Sequence, residues 1–261
     1  MTHSHHIQPV KTPGEGRVTQ TVILAAGSGS RLAPSRGDVP KPLMTVCGVP
    51  LIAHALSHAV AAGCDEALVV LGYEAPRVQA AIDAMASPLR MRFVHSPDHT
   101  APNGVSLLAA ESGANRIFYL QMVDHLFSRP VLAQLALQPL APHEAGRVLV
   151  DSSPSADIDL DDATKVTRSS ERITAIGKGL AQWDAIDAGC FVLTHGVFDA
   201  LRDVRPPESV TVSSGMRRLV QQGRLGSVDI RGASWVDVDT PIDRERAERM
   251  LEKRHPVPDR G

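Results

Sequence analysis

Apolar residues along this chain follow two rhythms. Short unbroken runs at Val22–Leu24, Glu66–Leu71, Met91–His95 and Ile117–His125 read as strands buried on both faces. Between them the apolar positions recur every three or four residues. Leu51, Ile52, Ala55, Leu56, Ala59 and Val60 fall on one face of a helix over 50–62, with Gly63 as its C-terminal cap. A second helix is expected over 75–86, and a third begins at 105–111 after the Asn103-Gly104 turn. Strand and helix alternating in this way predict an α/β fold with a doubly wound, mostly parallel, Rossmann-like sheet.

The second half changes character. Strands are expected at 147–150, 186–193 and 235–240, with a hairpin from 165–167 and 172–178. A helix fits 130–137, with Asp124 or Ser128 as its N-cap, and another fits 212–222. Pro241 opens a charged closing helix. Strand alternation puts Asp237 and Asp239 on one side. The expected organisation is a polar leader over 1–20 and a single domain over 21–255. That domain divides into halves at 21–145 and 146–255, the second a small β lobe.

Composition narrows the field. The 261 residues carry 43% hydrophobic and 21% charged side chains and a net charge of −2. There is no general basic field for nucleic acid. No apolar run reaches the roughly 18 residues of a membrane helix. Cys47, Cys64 and Cys190 are far apart, with no C-x-x-C pair to suggest zinc or a disulfide framework. The leader lacks a signal-peptide core, so a reducing cytoplasm is the expectation. His3, His5 and His6 read as part of the polar leader. His54 and His58, one turn apart, read as surface or core histidines. Asp157, Asp159, Asp161 and Asp162 read as a solvated loop.

Candidate chemistry concentrates after the first strand. Leu24-Ala25-Ala26-Gly27-Ser28-Gly29 turns the chain with two glycines, so backbone N–H groups can approach a ligand. Arg31 and Lys41 add two cations, which makes a phosphate cradle. An ordinary Gly/Ser turn is the bland alternative. A dinucleotide fingerprint fails because Ala33 stands where its third glycine belongs, and the Gly-Lys-Ser/Thr triplet of a Walker loop is missing. Asp124 ends the fourth strand, and ligands of open parallel sheets sit beyond the carboxyl ends of their strands.

These residues resemble the nucleotidyltransferase signature L-A-A-G-x-G-x-R-L followed by P-K-P-L, matched at Leu24–Gly27, Gly29, Arg31, Leu32 and Pro40–Leu43. After the leader, the chain is similar along nearly its whole length to sugar-phosphate nucleotidyltransferases, and most to CTP:inositol-1-phosphate cytidylyltransferases. Asn103-Gly104 with Ser106-Leu107-Leu108, Asp124-His125 with Ser128, Ile176-Gly177-Lys178, Asp187 with Gly189, and Trp235 with Asp237-Val238-Asp239-Thr240 carry the likeness. Val123, Pro102 and Ala188 depart from that pattern, standing for Gly, Gly and Thr.

The resemblance implies transfer of CMP from CTP to a polyol or cyclitol phosphate. Arg31 and Lys41 would be catalytic, and Asp124 and Asp239 would hold Mg2+. Leu24, Ala25, Ala26, Gly27, Gly29, Asn103, Gly104 and Ser106 would bind the nucleotide. Lys178, Asp187 and Gly189 would bind the acceptor in the second half. Another base, another acceptor such as phosphocholine or a phosphonate, and a non-catalytic nucleotide-binding regulator stay open at this point. No nucleic-acid or membrane partner is expected, and a homodimer is compatible with the chain.

Overall fold

The computed structural model describes residues 17–29, 39–156 and 158–253. Strand β1 (Gln20–Ala25) leads through a small ribbon, β2 (Thr45–Val46) and β3 (Val49–Pro50), into helix α1 (Leu51–Ala61). Then come β4 (Glu66–Leu71), α2 (Ala75–Asp83), β5 (Arg90–His95), α3 (Asn103–Ala109), β6 (Ile117–Met122) and β7 (His125–Phe127). The second half runs β8 (Gly146–Asp151), β9 (Lys165–Ser169), β10 (Arg172–Gly177), β11 (Ala185–Thr194), α4 (Gly196–Arg202) and α5 (Val212–Gln221). It closes with β12 (Leu225–Asp229), β13 (Trp235–Asp237) and α6 (Pro241–Glu252).

β1 shows why the sheet is covered on both sides. All six of its residues are buried, and they divide by alternation. Val22 and Leu24 enter one apolar cluster and Ile23 and Ala25 the other. β4 divides in the same way, with Leu68 and Val70 against Val69 and Leu71. A strand apolar on both faces needs helices on both. α1 and α2 cover one face, and α3, α4 and α5 the other.

Nine strands form the main sheet in the order β5-β4-β1-β6-β11-β8-β12-β10-β9. The first four are parallel. β11 runs antiparallel to both β6 and β8, and β12 returns parallel to β8. The strands of the second half therefore extend the same sheet, and the parallel order belongs chiefly to the first half. β1 has β4 on one side and β6 on the other, so the direction of winding reverses there. This reversal leaves a crevice at the carboxyl ends of β1 and β6.

Four local expectations change. Asn103 and Gly104, expected as a turn before a helix at 105, are the first residues of α3, whose N-cap is Pro102. The strand expected over 117–125 stops at Met122, turns, and resumes as β7. The helix expected over 130–137 is a 3-10 turn at Leu132–Ala136 whose N-cap is Val131, with no side-chain cap. Ser128 pairs instead with Ser234: its N–H donates to the Ser234 carbonyl at 2.8 Å, and the Ser234 N–H donates to its Oγ at 3.0 Å. The last strand ends at Asp237, because the Val238 N–H turns to the Asp124 carbonyl at 3.0 Å.

Candidate active site

The site is built by a two-stranded ribbon set against the end of β1. β7 and β13 pair antiparallel in the register Phe127–Trp235, Leu126–Val236 and His125–Asp237. Asp124 immediately precedes β7, and Asp239 lies just past the end of β13. Antiparallel pairing folds those two ends together. The Val123 N–H donates to the Leu24 carbonyl at 3.3 Å, which fastens this end of the ribbon to β1.

Lys41 meets the aspartates from a third segment. Pro40 and Pro42 flank it in a single 3-10 turn, Lys41–Leu43, whose Leu43 N–H donates to the Pro40 carbonyl at 2.9 Å. The Lys41 side chain is only 7% exposed. Its Nζ donates to Asp124 Oδ2 and to Asp239 Oδ1, both at 2.6 Å. Burial works against this ammonium, but the charges of Asp124, Asp237 and Asp239 outweigh it and hold its pKa above the ordinary lysine value. Burial likewise opposes ionised Asp124, yet Lys41 and His125 hold that carboxyl well below the usual range. Gly29, at φ +61°, lies against the lysine stem, and a Cβ there would come within 2.8 Å of Lys41 Cβ.

These groups border a cleft of about 280 Å3. Of the residues singled out in the sequence, Leu24, Ala26, Gly27, Gly29, Lys41, Asn103, Ser106, Asp124 and Asp239 line it. Arg31, with Leu32 and the loop 33–38, lies outside the described residues, as do the leader over 1–16 and Asp157. Ala25 turns its side chain into the core on the opposite face. Gly104 packs closely on the backbone of Val210 and Thr211, where a Cβ would not fit. Asn103 Oδ1 accepts from the Val212 N–H at 2.9 Å, so this side chain ties α3 to the start of α5. Ser106 Oγ donates to Ser96 Oγ at 3.1 Å.

The residues expected to bind an acceptor divide. Asp187 Oδ1 accepts from the Gly189 N–H at 2.7 Å, and Gly189, at φ +74°, fits closely under the His125 ring. Lys178 pairs with Asp162 at the exposed surface instead of bordering the cleft. Val123 lines the cleft, Pro102 is the N-cap of α3, and Ala188 is buried in the core. Sequence reasoning assigned no role to His99, Ala101, Met122 and Val123 as cleft wall. Only their place at or beyond the ends of strands β5 and β6 pointed there. His54 and His58 are indeed packing residues: His54 Nε2 donates to the Val46 carbonyl at 3.2 Å, and His58 lies 5.5 Å from the Phe127 ring.

Behind the cleft, His125 Nδ1 donates to Asp124 Oδ1 at 3.0 Å and lies 3.9 Å from Asp237 Oδ1. Burial disfavours the imidazolium, but Asp237, Asp124 and Asp187 raise its pKa to about 9. Burial pushes Asp187 up to about 6, against the pull of the Gly189 N–H and His125. Asp237 is also raised, by burial first and by its acidic neighbours.

The residues present fit a divalent cation. Asp124 and Asp239 already converge on one positive charge, and Asp237 Oδ1 is a buried oxygen with no hydrogen-bond partner. Oxygens of Asp124 and Asp237 lie within 4.8 Å of each other, with the His125 ring behind them. Carboxylate oxygens are the donors that Mg2+ prefers.

The MobA-like NTP transferase domain model matches residues 21–157, just over half of the chain. A bifunctional IPC transferase and DIPP synthase of Rubrobacter xylanophilus is 32% identical over 88% of this chain and 51% of its own length. The protein of the same name from Archaeoglobus fulgidus is 30% identical over 91% of this chain and 45% of its own. The chain thus spans about half the length of the curated relatives it matches. The solved structure of the inositol-1-phosphate CTP transferase from T. maritima shares the fold at a TM-score of 0.80. It is 24% identical and covers 93% of this chain and 98% of that one. With the glycine turn, Lys41 and Asp124 all inside the matched segment, the chain belongs to the MobA-like NTP transferase domain family.

Proposed function

We propose that this protein transfers CMP from CTP to a polyol or cyclitol phosphate, inositol 1-phosphate foremost, with Mg2+ and with release of pyrophosphate. The observation that carries the reading is the convergence of Asp124 and Asp239 on Lys41 beside the glycine turn of β1. Family membership supports the reaction type. The Asp-His, Gly-Lys and Trp-x-Asp-Val-Asp-Thr segments, together with the IPC transferase names of the relatives, support the choice of nucleotide and acceptor.

An oxygen of the acceptor phosphate attacks the α-phosphorus of CTP. The bond from that phosphorus to the oxygen bridging to the β-phosphate breaks, and pyrophosphate leaves. No covalent adduct with the enzyme forms, so the residues act by positioning and by charge. Gly27 and Gly29 bring backbone donors to the triphosphate, and Arg31 binds the phosphates that depart. Lys41 bridges the attacking and α-phosphates once its ammonium turns from the aspartates to the substrate. Asn103, Gly104 and Ser106 flank the base and ribose, while Asp187 and Gly189 serve the acceptor, and Lys178 joins them only once it leaves Asp162. Asp124 and Asp239 would hold a divalent ion, which would supply neutralisation of the triphosphate charge.

The test is pyrophosphate release with Mg2+, crossing CTP, UTP, GTP and ATP against inositol 1-phosphate, other cyclitol phosphates and phosphocholine. Turnover highest with CTP and inositol 1-phosphate is expected. Equal or greater turnover with another pair would replace the substrate assignment, and no turnover with any pair would overturn the reading.

A further inference from the structure

Resting on that reading of Asp124 as a metal ligand, the geometry points to His125 as a positioning residue, held in place by Trp235 and Asp151, that fixes how the Asp124 carboxylate is presented to the cation. Asp124 has two oxygens in two different surroundings. Oδ2 faces Lys41 in the cleft, and Oδ1 receives the His125 Nδ1–H at 3.0 Å. A carboxylate only accepts, so Nδ1 must carry the proton in this contact. Holding Oδ1 from behind leaves Oδ2 as the oxygen turned to the cleft, where it now meets Lys41.

The imidazole is itself fixed. On the β7–β13 ribbon, His125 and Phe127 share a face with Trp235 and Asp237, because side chains of opposite residues in the register lie on one side. The His125 ring stacks on Trp235 at 5.6 Å with an interplanar angle of 12°, and Phe127 stacks on the same indole at 6.4 Å. The indole is held at its polar end, where Nε1–H donates to Asp151 Oδ2 at 3.0 Å. Asp151 is buried at the end of β8, and its other oxygen accepts from the Ser153 N–H at 2.9 Å. Gly189 closes the remaining side, since any side chain there would overlap the imidazole. A continuous series of contacts thus runs from the main sheet, through Asp151, Trp235 and His125, to the carboxylate. Outer contacts of this kind orient a metal ligand and commonly contribute about 10–100-fold to metal affinity or activity.

The experiment compares His125→Asn, His125→Gln and His125→Ala with the wild type. Asparagine can place an N–H where Nδ1 stood, whereas glutamine places its amide where Nε2 stood. Two readouts are taken: Mn2+ affinity of the acceptor-free protein, from the EPR signal of free Mn2+, and the Mg2+ concentration that half-saturates turnover. His125→Gln and His125→Ala should weaken Mn2+ binding by about 10–100-fold. They should raise the Mg2+ requirement in parallel. His125→Asn should recover most of the lost affinity. If alanine does not fold, the Asn–Gln pair decides alone. Equal Mn2+ affinity in those two variants would overturn the proposal, as would wild-type affinity in His125→Ala or no Mn2+ binding by the wild type. Failure of the wild type to turn over CTP with inositol 1-phosphate would refute the substrate reading only, because the Mn2+ comparison needs neither substrate.

Discussion

Two carboxylates grip the Lys41 ammonium at 2.6 Å each, in the position a metal ion would share with them. Removing that ammonium leaves Asp124 and Asp239 facing each other without the cation between them, His125 holding only the far oxygen of Asp124. Lys41→Ala should lower turnover by about 10²–10³-fold, the usual loss for one electrostatic group. Its thermal midpoint should also rise more on adding Mg2+ than that of the wild type, since an ion that binds only the folded state stabilises it. An equal Mg2+ shift in both proteins would count against the arrangement. Gly29→Ala reaches the same lysine by a different route. It forces a side chain into the left-handed region and against the lysine stem, so turnover should fall although no charged group is lost. His54 provides a pH test away from the cleft. Burial lowers its pKa below 6.5, although its hydrogen bond to Val46 pulls the other way. The unfolded chain then takes up a proton that the folded one resists. The stabilising contribution is complete above the unfolded pKa near 6.5 and is lost as pH falls below it. Thermal midpoints should therefore drop less steeply from pH 7 to 5 in His54→Gln than in the wild type.

At the scale of the element, the two capping boxes make a matched pair. Thr211 and Ser214 cap α5, and Thr240 and Asp243 cap α6. Replacing either threonine by alanine should cost about 0.5–2 kcal/mol of stability, measured by denaturant unfolding. Thr211→Ala should leave Mn2+ affinity unchanged. Thr240→Ala, one residue from Asp239, should weaken it, and equal affinity in the two variants would contradict the link between α6 and the site. Elements dictated by local pattern were legible in the sequence. The run Glu66–Leu71 is β4 residue for residue, and the hairpin after Lys165 forms as expected. What escaped was held by partners distant in sequence. β12 (Leu-Gly-Ser-Val-Asp) contains poor strand formers, and its parallel ladder to β8 maintains it. α4 is seven residues long and opens on glycine. Its Phe198 stacks on Phe118 of β6 at 5.8 Å, a contact no local periodicity reveals.

Across the whole molecule, the site depends on one long-range meeting. Lys41 and Asp239 are 198 positions apart, and the motif around each could be read separately. Their contact follows from the ribbon register and from the reversal of winding at β1. The same limit explains why Asn103 pointed to a ligand in the sequence while its carbonyl oxygen accepts from the start of α5 in the fold. A chelator should abolish turnover and Mg2+ should restore it, while far-UV circular dichroism stays constant, because the sheet and its two apolar layers do not rely on the ion. The central claim is tested most directly by following the α-phosphate of CTP. With α-labelled CTP, Mg2+ and inositol 1-phosphate, the label should appear in a single cytidine diphosphate adduct of the acceptor, in step with pyrophosphate. Label that stays in CTP, or appears only as CMP without any adduct, would contradict the account.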